Sequence, residues 1–566
     1  MPMIELSLGP YRSAVERTLT GIAEARVVQR IHDMDHTVWK DSPAQITDRL
    51  GWLFSPANMR QRVHDLSAFA EEVRSAGYTR ALLLGMGGSS LAPEVLSTTF
   101  GAREGFLGLG VLDSTDPSTV ASLAGDIDPS RTLFIVSTKS GTTVETLSLF
   151  KYFYGRTAAV LGREEAGEHF VAITDPGNPL NETALRCAFR KVFAGEPTIG
   201  GRFSALSVFG LVPGALLGID AARLLERAIA MADSCRQPDV SLLGANDGAK
   251  LGAALGVLSL AGRNKLTFFL PQRISGFGDW AEQLVAESTG KEGRGIVPVI
   301  AEAPGSVDVY GADRVFVCPI LNGEEPPMPD LSRLGEAGHP VIRIFLDDVH
   351  DIGAQFFLWE FATAVAGHVL SLNPFDQPDV EATKSHTRAA VDAFLRTGRL
   401  QTGEPLLTDQ GISVFGGMEA PTLRDALIAF LLKAREDSYV SFQAYLPPEP
   451  PVRKALDGLR ILVRDRYRVA TTLGFGPRFL HSTGQLHKGD AGQGLFVQIT
   501  CTDPRDLAIP DEPGHDRSTM SFGVLKAAQA IGDAQALTAS GRRIVRLHIH
   551  GPDIAASIDT IVRALA

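Results

Sequence analysis

Between Thr132 and Thr146 the chain reads Thr-Leu-Phe-Ile-Val-Ser-Thr-Lys-Ser-Gly-Thr-Thr-Val-Glu-Thr, an apolar run that gives way to hydroxyls, one lysine and one glycine. Thr138, Ser140, Thr142 and Thr143 can donate hydrogen bonds, and Lys139 adds a point charge. Leu133 to Val136 predict a buried strand, and a helical pattern takes over at Val144. The loop between them therefore meets a helix start, where unpaired backbone N–H groups and a partial positive charge collect. Such a loop is a cradle for a phosphate.

A second loop, Gly85-Met-Gly-Gly-Ser-Ser90, also follows a strand and precedes a helix. Its glycines permit tight turning and close approach of a ligand to the backbone. Three readings stand side by side: a dinucleotide turn with Asp113 as its acid, a binding loop for another phosphate ligand, and a purely structural turn. Ser90 in place of the third glycine, and the neighbouring hydroxyl-rich loop, favour a phosphate. No GxxxxGK[ST] segment is present, which disfavours a nucleotide triphosphatase.

Trp280 to Lys291 places Gln283 and Glu287 four apart, one above the other on a helix, with Gly290 set to end it. The residues alone allow a solvated face or a carboxylate base whose pKa burial raises toward working pH. Arg202, in Gly200-Gly-Arg-Phe-Ser204, leads into an apolar segment and needs a partner, either a ligand or a buried carboxylate. Lys384 closes a turn-rich run from Asn373 and reads as a surface lysine or a functional one. His481 with His487, and His548 with His550, lack a third ligand at credible spacing, so no metal site is expected.

The elements that must position these residues alternate. Strands are predicted over 80–85, 109–113, 133–136 and 169–174, and again over 266–270, 314–318 and 341–346, with helices between them. That order implies two parallel sheets, each covered by helices. A charge-free stretch over 203–219 predicts a buried core helix, and 324–330 a surface loop. The expected domains are a helical segment over 1–75, α/β units over 76–228 and 229–390, and a C-terminal α+β domain over 391–566. The length of 566 residues accommodates them. A net charge of −11 disfavours nucleic acid or an anionic membrane as partner. Four scattered cysteines and no apparent signal peptide suit a cytoplasmic protein.

Taken together, Gly85–Pro93, Ser137–Thr146, Gly200–Arg202, Glu282–Lys291 and Asn373–Gln377 through Lys384 resemble the phosphoglucose isomerase family, over roughly residues 60–390. The whole chain looks most like the isomerase half of bacterial fused transaldolase–isomerase proteins. The resemblance implies two SIS-type doubly wound parallel-sheet domains and interconversion of glucose 6-phosphate and fructose 6-phosphate, in glycolysis and gluconeogenesis, without cofactor or metal. Gly88, Ser89, Thr138, Lys139, Ser140 and Thr143 would hold the sugar phosphate, and Gln283 would position the sugar. Glu287 would carry the proton between C1 and C2 through a cis-enediol, Arg202 would stabilise the enediolate, and Lys384 would assist ring opening. A homodimer is implied as well. The family's ring-opening histidine, contributed by a neighbouring subunit, has no counterpart in 297–313, so three alternatives stand: His386 substitutes, His487 does, or neither does and Lys384 with water suffices. A phosphosugar-binding regulator without turnover is the alternative reading, against which Glu287 and Lys384 count. Acceptance of mannose 6-phosphate is left open.

Overall fold

The computed structural model describes residues 3–324, 326–416 and 419–566. Its first element is a strand, β1 (Ile4–Ser7), although residues 1–75 read as helical. Four residues are too few for a periodic signal. β1 is held by antiparallel pairing with an edge strand of the second sheet.

The first sheet comprises β2 (Arg80–Gly85), β3 (Gly108–Leu112), β4 (Thr132–Ser137), β5 (Phe170–Thr174) and β6 (Lys191–Ala194), in the order β3–β2–β4–β5–β6. All its pairings are parallel. Every residue of β4 is buried, as its uninterrupted apolar run requires of a strand covered on both faces. Phe134 stacks on Phe170 at 4.8 Å between ring centroids. Burying a side chain of that size contributes about 1.5–3 kcal/mol.

The second sheet is built of β7 (Lys265–Phe268), β8 (Val297–Val299), β9 (Arg314–Leu321) and β10 (Val341–Leu346), in the order β1–β10–β9–β7–β8. Pro298 sits in β8, at the sheet edge, where a missing backbone donor costs no ladder bond. One continuous core, from Ile4 to Phe375, joins the N-terminal helices to both sheets, so the first 75 residues are not a separate body.

The C-terminal module contains β11 (Leu407–Asp409), β12 (Ile412–Phe415), β13 (Tyr439–Tyr445), β14 (Ala470–Phe475), β15 (Gly494–Cys501), a short ribbon of β16 (Ala508–Ile509) and β17 (Met520–Ser521), and β18 (Arg543–Ile549). Its main sheet has the order β11–β12–β18–β15–β13–β14. The expected α+β module differs here in that β14, β13, β15 and β18 all run parallel, and only β11 and β12 pair antiparallel. It has its own core, yet Phe522 and Leu525 from its helix Phe522–Ala539 bury against the first sheet. The boundaries expected at 228/229 and 390/391 fall inside the helices Ala221–Ser234 and Val380–Thr397. The latter packs on Phe522–Ala539, so it bridges the second sheet's unit and the C-terminal module.

Within 203–219 the α-helix is shorter than expected, Val208–Leu216, and all of it is buried. Among the described residues no helix is long and apolar enough to cross a membrane. Glu325, in the expected loop 324–330, lies outside the described residues.

Candidate active site

β2 and β4 are neighbours in register, Gly85 opposite Ser137, so their two loops leave the same edge of the sheet side by side. In the crib after β4, the hydroxyls of Thr138 and Thr143 lie 2.8 Å apart. The Ser140 hydroxyl accepts from the Thr142 backbone N–H at 3.3 Å. Ser140 and Thr142 are exposed, and the helix Val144–Leu161 begins without a side-chain cap. Its first-turn N–H groups are therefore available to an anion. The loop after β2 is buried: the Ser89 carbonyl accepts from Ser137 Oγ at 3.0 Å, and a Cβ on Gly88 would overlap the Gly201 carbonyl.

Lys139 departs from the expectation. Its ammonium turns away from the hydroxyls to bond Asp175 at 2.6 Å and the Glu196 carbonyl at 2.8 Å. Burial depresses its pKa and Asp175 opposes that shift without overcoming it. The lysine thus braces the crib loop against β5's following turn.

Glu287 stands on the helix Phe277–Thr289, whose Trp280, Ala281, Leu284 and Val285 are core residues. A solvated face is excluded, because the Glu287 side chain is only 13% exposed. One carboxylate oxygen lies 3.3 Å from Arg202 Nη1, and the other accepts from Gln283 Nε2 at 3.1 Å. Gln283 Nε2 also donates to the His481 carbonyl at 2.8 Å, while its buried Oε1 has no partner among the described residues.

Arg202 is almost wholly buried. Its guanidinium donates to Ser288 Oγ (2.8 Å), Gln377 Oε1 (2.9 Å) and the carbonyls of Pro374 (2.6 Å) and Asp376 (2.9 Å). Burial depresses its pKa, and Glu287 and Asp376 oppose the shift. The turn-rich segment 373–377 thus acts as a clamp of oxygens. The same clamp takes Lys291, whose Nζ bonds the Asn373 carbonyl at 2.9 Å and Asp376 Oδ1 at 2.7 Å. Burial, with Arg202 nearby, pushes the Lys291 pKa down to about 8. Spacing had not marked Lys291 or Asp376 individually, since their partnership spans 85 residues.

Gly290 ends the helix, but not by a left-handed cap: its φ is −80°. Glycine is needed because the Leu486 backbone presses on it, and any Cβ would collide. Gln485 Nε2 donates to the Gly290 carbonyl at 2.9 Å and its Oε1 accepts from the Asp379 N–H at 2.9 Å. The C-terminal module is docked on the end of the helix that bears Glu287.

That docking delivers a histidine. His481 Nε2 lies 2.8 Å from Glu145 Oε1, in the first turn of the crib helix. Glu145 also accepts from Gln529 Nε2 at 2.7 Å, and Gln529 in turn accepts from Thr115 Oγ1 at 3.0 Å. Burial disfavours a charged imidazole, but Glu145 outweighs it and holds the His481 pKa above its ordinary value. Burial raises the Glu145 pKa; His481 outweighs that and keeps it below the usual range.

His481 thus meets the site directly, through its carbonyl on Gln283 and its ring on Glu145. His487 is buried between Phe479 and Phe496, bonded to Gln443 at 3.3 Å, and burial with Lys488 and Arg542 drives its pKa well below the ordinary value. It is neutral and sealed inside its module. His386 is half-buried on the helix Val380–Thr397. Lys384, on the same helix, is 53% exposed and its ammonium bonds Glu381 at 2.7 Å. It stands near enough for its charge to act on His481. Gln283, Glu287 and Arg202 meet directly, and Gly88 packs on the Gly201 carbonyl beside Arg202; Ser89 is joined to Ser137 at the end of β4, Thr138, Ser140 and Thr143 belong to the neighbouring crib, Lys139 turns away from it and Lys384 is exposed.

Residues 55–292 match the family model described as phosphoglucose isomerase. The glucose-6-phosphate isomerase of Rubrobacter xylanophilus is 29% identical over 427 residues, covering 67% of this chain and 95% of that relative. The glucose-6-phosphate isomerase of Thermus thermophilus is 29% identical over 391 residues, covering 60% of this chain and 89% of its own. Among solved structures, a glucose-6-phosphate isomerase from Chlamydia trachomatis shares the fold, with a TM-score of 0.57 at 18% identity over 69% of this chain and 88% of that one.

Proposed function

From the match of residues 55–292 to the phosphoglucose isomerase model, we propose that this chain is a glucose-6-phosphate isomerase working by proton transfer through a cis-enediol. The observation that carries the reading is the Glu287 carboxylate, shielded from water and flanked by Arg202 and Gln283. The sugar's phosphate occupies the 138–143 crib, and the binding energy of that charged end holds the carbon skeleton against Glu287. Glu287 removes the proton from C2 of the open-chain aldose and returns it to C1. The hydroxyl proton of O2 passes to O1 as C2=O2 forms, and no atom enters or leaves. Arg202 faces the carboxylate and stabilises the negative charge that develops on the enediolate. The free Oε1 of Gln283 accepts from a sugar hydroxyl.

Ring opening falls to His481. As the imidazolium held by Glu145, it protonates the ring oxygen, and Lys384 is a second cation near that step. The step serves glycolysis and gluconeogenesis. The module over 391–566, beyond the matched segment, supports kinship with the isomerase half of fused transaldolase–isomerase proteins.

His481→Ala is expected to lower turnover of ring-closed glucose 6-phosphate about 100-fold, while His386→Ala stays near the parent rate in the same coupled assay. A parent-like rate for His481→Ala would overturn the assignment. The raised pKa of His481 means its charged form, and the stability of its pair with Glu145, are fully present below the unfolded-state value and are lost as pH rises through the folded-state value. The alkaline limb of kcat/KM accordingly lies above the ordinary histidine range. In Glu145→Gln the main charge opposing burial is removed and the limb moves to lower pH.

A further inference from the structure

On the other side of the helix Phe277–Thr289, where the units of the first and second sheets meet the C-terminal module, lies a cavity of about 530 Å³. It takes Asp279 and Glu282 from that helix but neither Gln283 nor Glu287, and none of its lining belongs to the 138–143 crib. One wall is apolar, formed by Phe268, Leu270, Leu473 and Phe475. The remainder carries six carboxyl side chains against three arginines.

Two of the arginines are occupied, and the third, Arg453, lies over the Phe475 ring, 5.0 Å from its centroid. Arg478 is bonded to Glu94 and lies 3.2 Å from Asp113. Arg460 donates to the carbonyls of Ile300 (3.0 Å) and Thr471 (2.9 Å). Glu282 differs from every other acid in the cavity. It is 8% exposed, faces the void, and has no hydrogen bond or ion pair among the described residues. An ionisable group buried without a partner is costly unless something supplies one.

We propose that this cavity binds a small organic cation, an ammonium group on an apolar body, with Glu282 as its counter-charge and Phe268, Leu473 and Phe475 against its carbon skeleton. Electrostatics agree: burial, with Asp279 adding, pushes the Glu282 carboxyl up to about 8, while Arg460 and Arg478 oppose the shift. An incoming positive charge removes most of that burden. An anion would meet the excess of carboxylates, so the substrate's own chemistry is excluded from this site.

The test is calorimetric titration of the full chain with three probes of equal size, n-hexylammonium, 1-hexanol and hexanoate. The ammonium is expected to bind about tenfold or more tightly than the alcohol, the carboxylate not at all, and Glu282→Gln to remove the advantage of the ammonium. Leu473→Trp, which fills the void from the opposite wall, is expected to abolish all binding. It serves as the second variant should Glu282→Gln fold poorly. Equal binding of the three probes, or ammonium binding indifferent to both substitutions, would overturn the proposal. The heat signal does not depend on turnover, so the outcome is independent of the isomerase reading.

Discussion

Glu287→Gln is expected to lower kcat for fructose 6-phosphate by about 10²- to 10⁴-fold, the usual contribution of a positioned acid–base group. The substitution is isosteric. Its amide can still meet Gln283, and Arg202 keeps its four other acceptors, so the fold is retained and KM changes little. What is lost is the basic oxygen that carries the proton. Exchange of the C2 proton with deuterated solvent should fall in parallel with turnover, because both pass through the same carbanionic step. Parent-like exchange in this variant would place the base elsewhere.

Arg202→Ala should damage stability and catalysis together. Truncation strips the carbonyls of Pro374 and Asp376 and the side chains of Ser288 and Gln377 of their donor, and leaves Glu287 without its cation. Breaking one partner out of such a buried set costs about 3–5 kcal/mol. Loss of a preorganised positive group facing the enediolate adds about 10²- to 10³-fold in kcat. Arg202→Lys separates the two effects: it keeps a charge but cannot reproduce the fork. Chemical denaturation and the coupled assay on both variants check the expectation. An alanine variant as stable as the parent would mean that the clamp over 373–377 relaxes onto other partners.

The residues that announced the site most clearly were those whose chemistry is local. The crib over 138–143 follows a strand so apolar that its burial was unavoidable, and the pairing of Gln283 with Glu287 follows from helical spacing alone. Strands with weaker local signals escaped notice. β8 contains Pro298, β6 is mostly exposed, and β14 carries two threonines and a glycine where an apolar run would be needed. Partnerships between distant segments left no trace in spacing. His481 lies 336 residues from Glu145, and the docking of the C-terminal module, Leu486 on Gly290 included, brings them together. For the same reason the sequence pointed to His487, which follows shortly after in the helix Gly484–Gly489 but faces the interior of its own module. Lys139 shows a related limit, since nothing nearby in the chain revealed that Asp175 would claim its ammonium.

The seating of Leu486 on Gly290 has a consequence for how this molecule behaves when scarce. Where an imidazole must be borrowed from a second molecule, thinning the solution separates the halves of the machinery, and each polypeptide slows. Here the acid and base proposed above and the anion crib are threaded on one polypeptide, held by a contact too tight for a single methyl group. On that proposal, specific activity is expected to be indifferent to dilution.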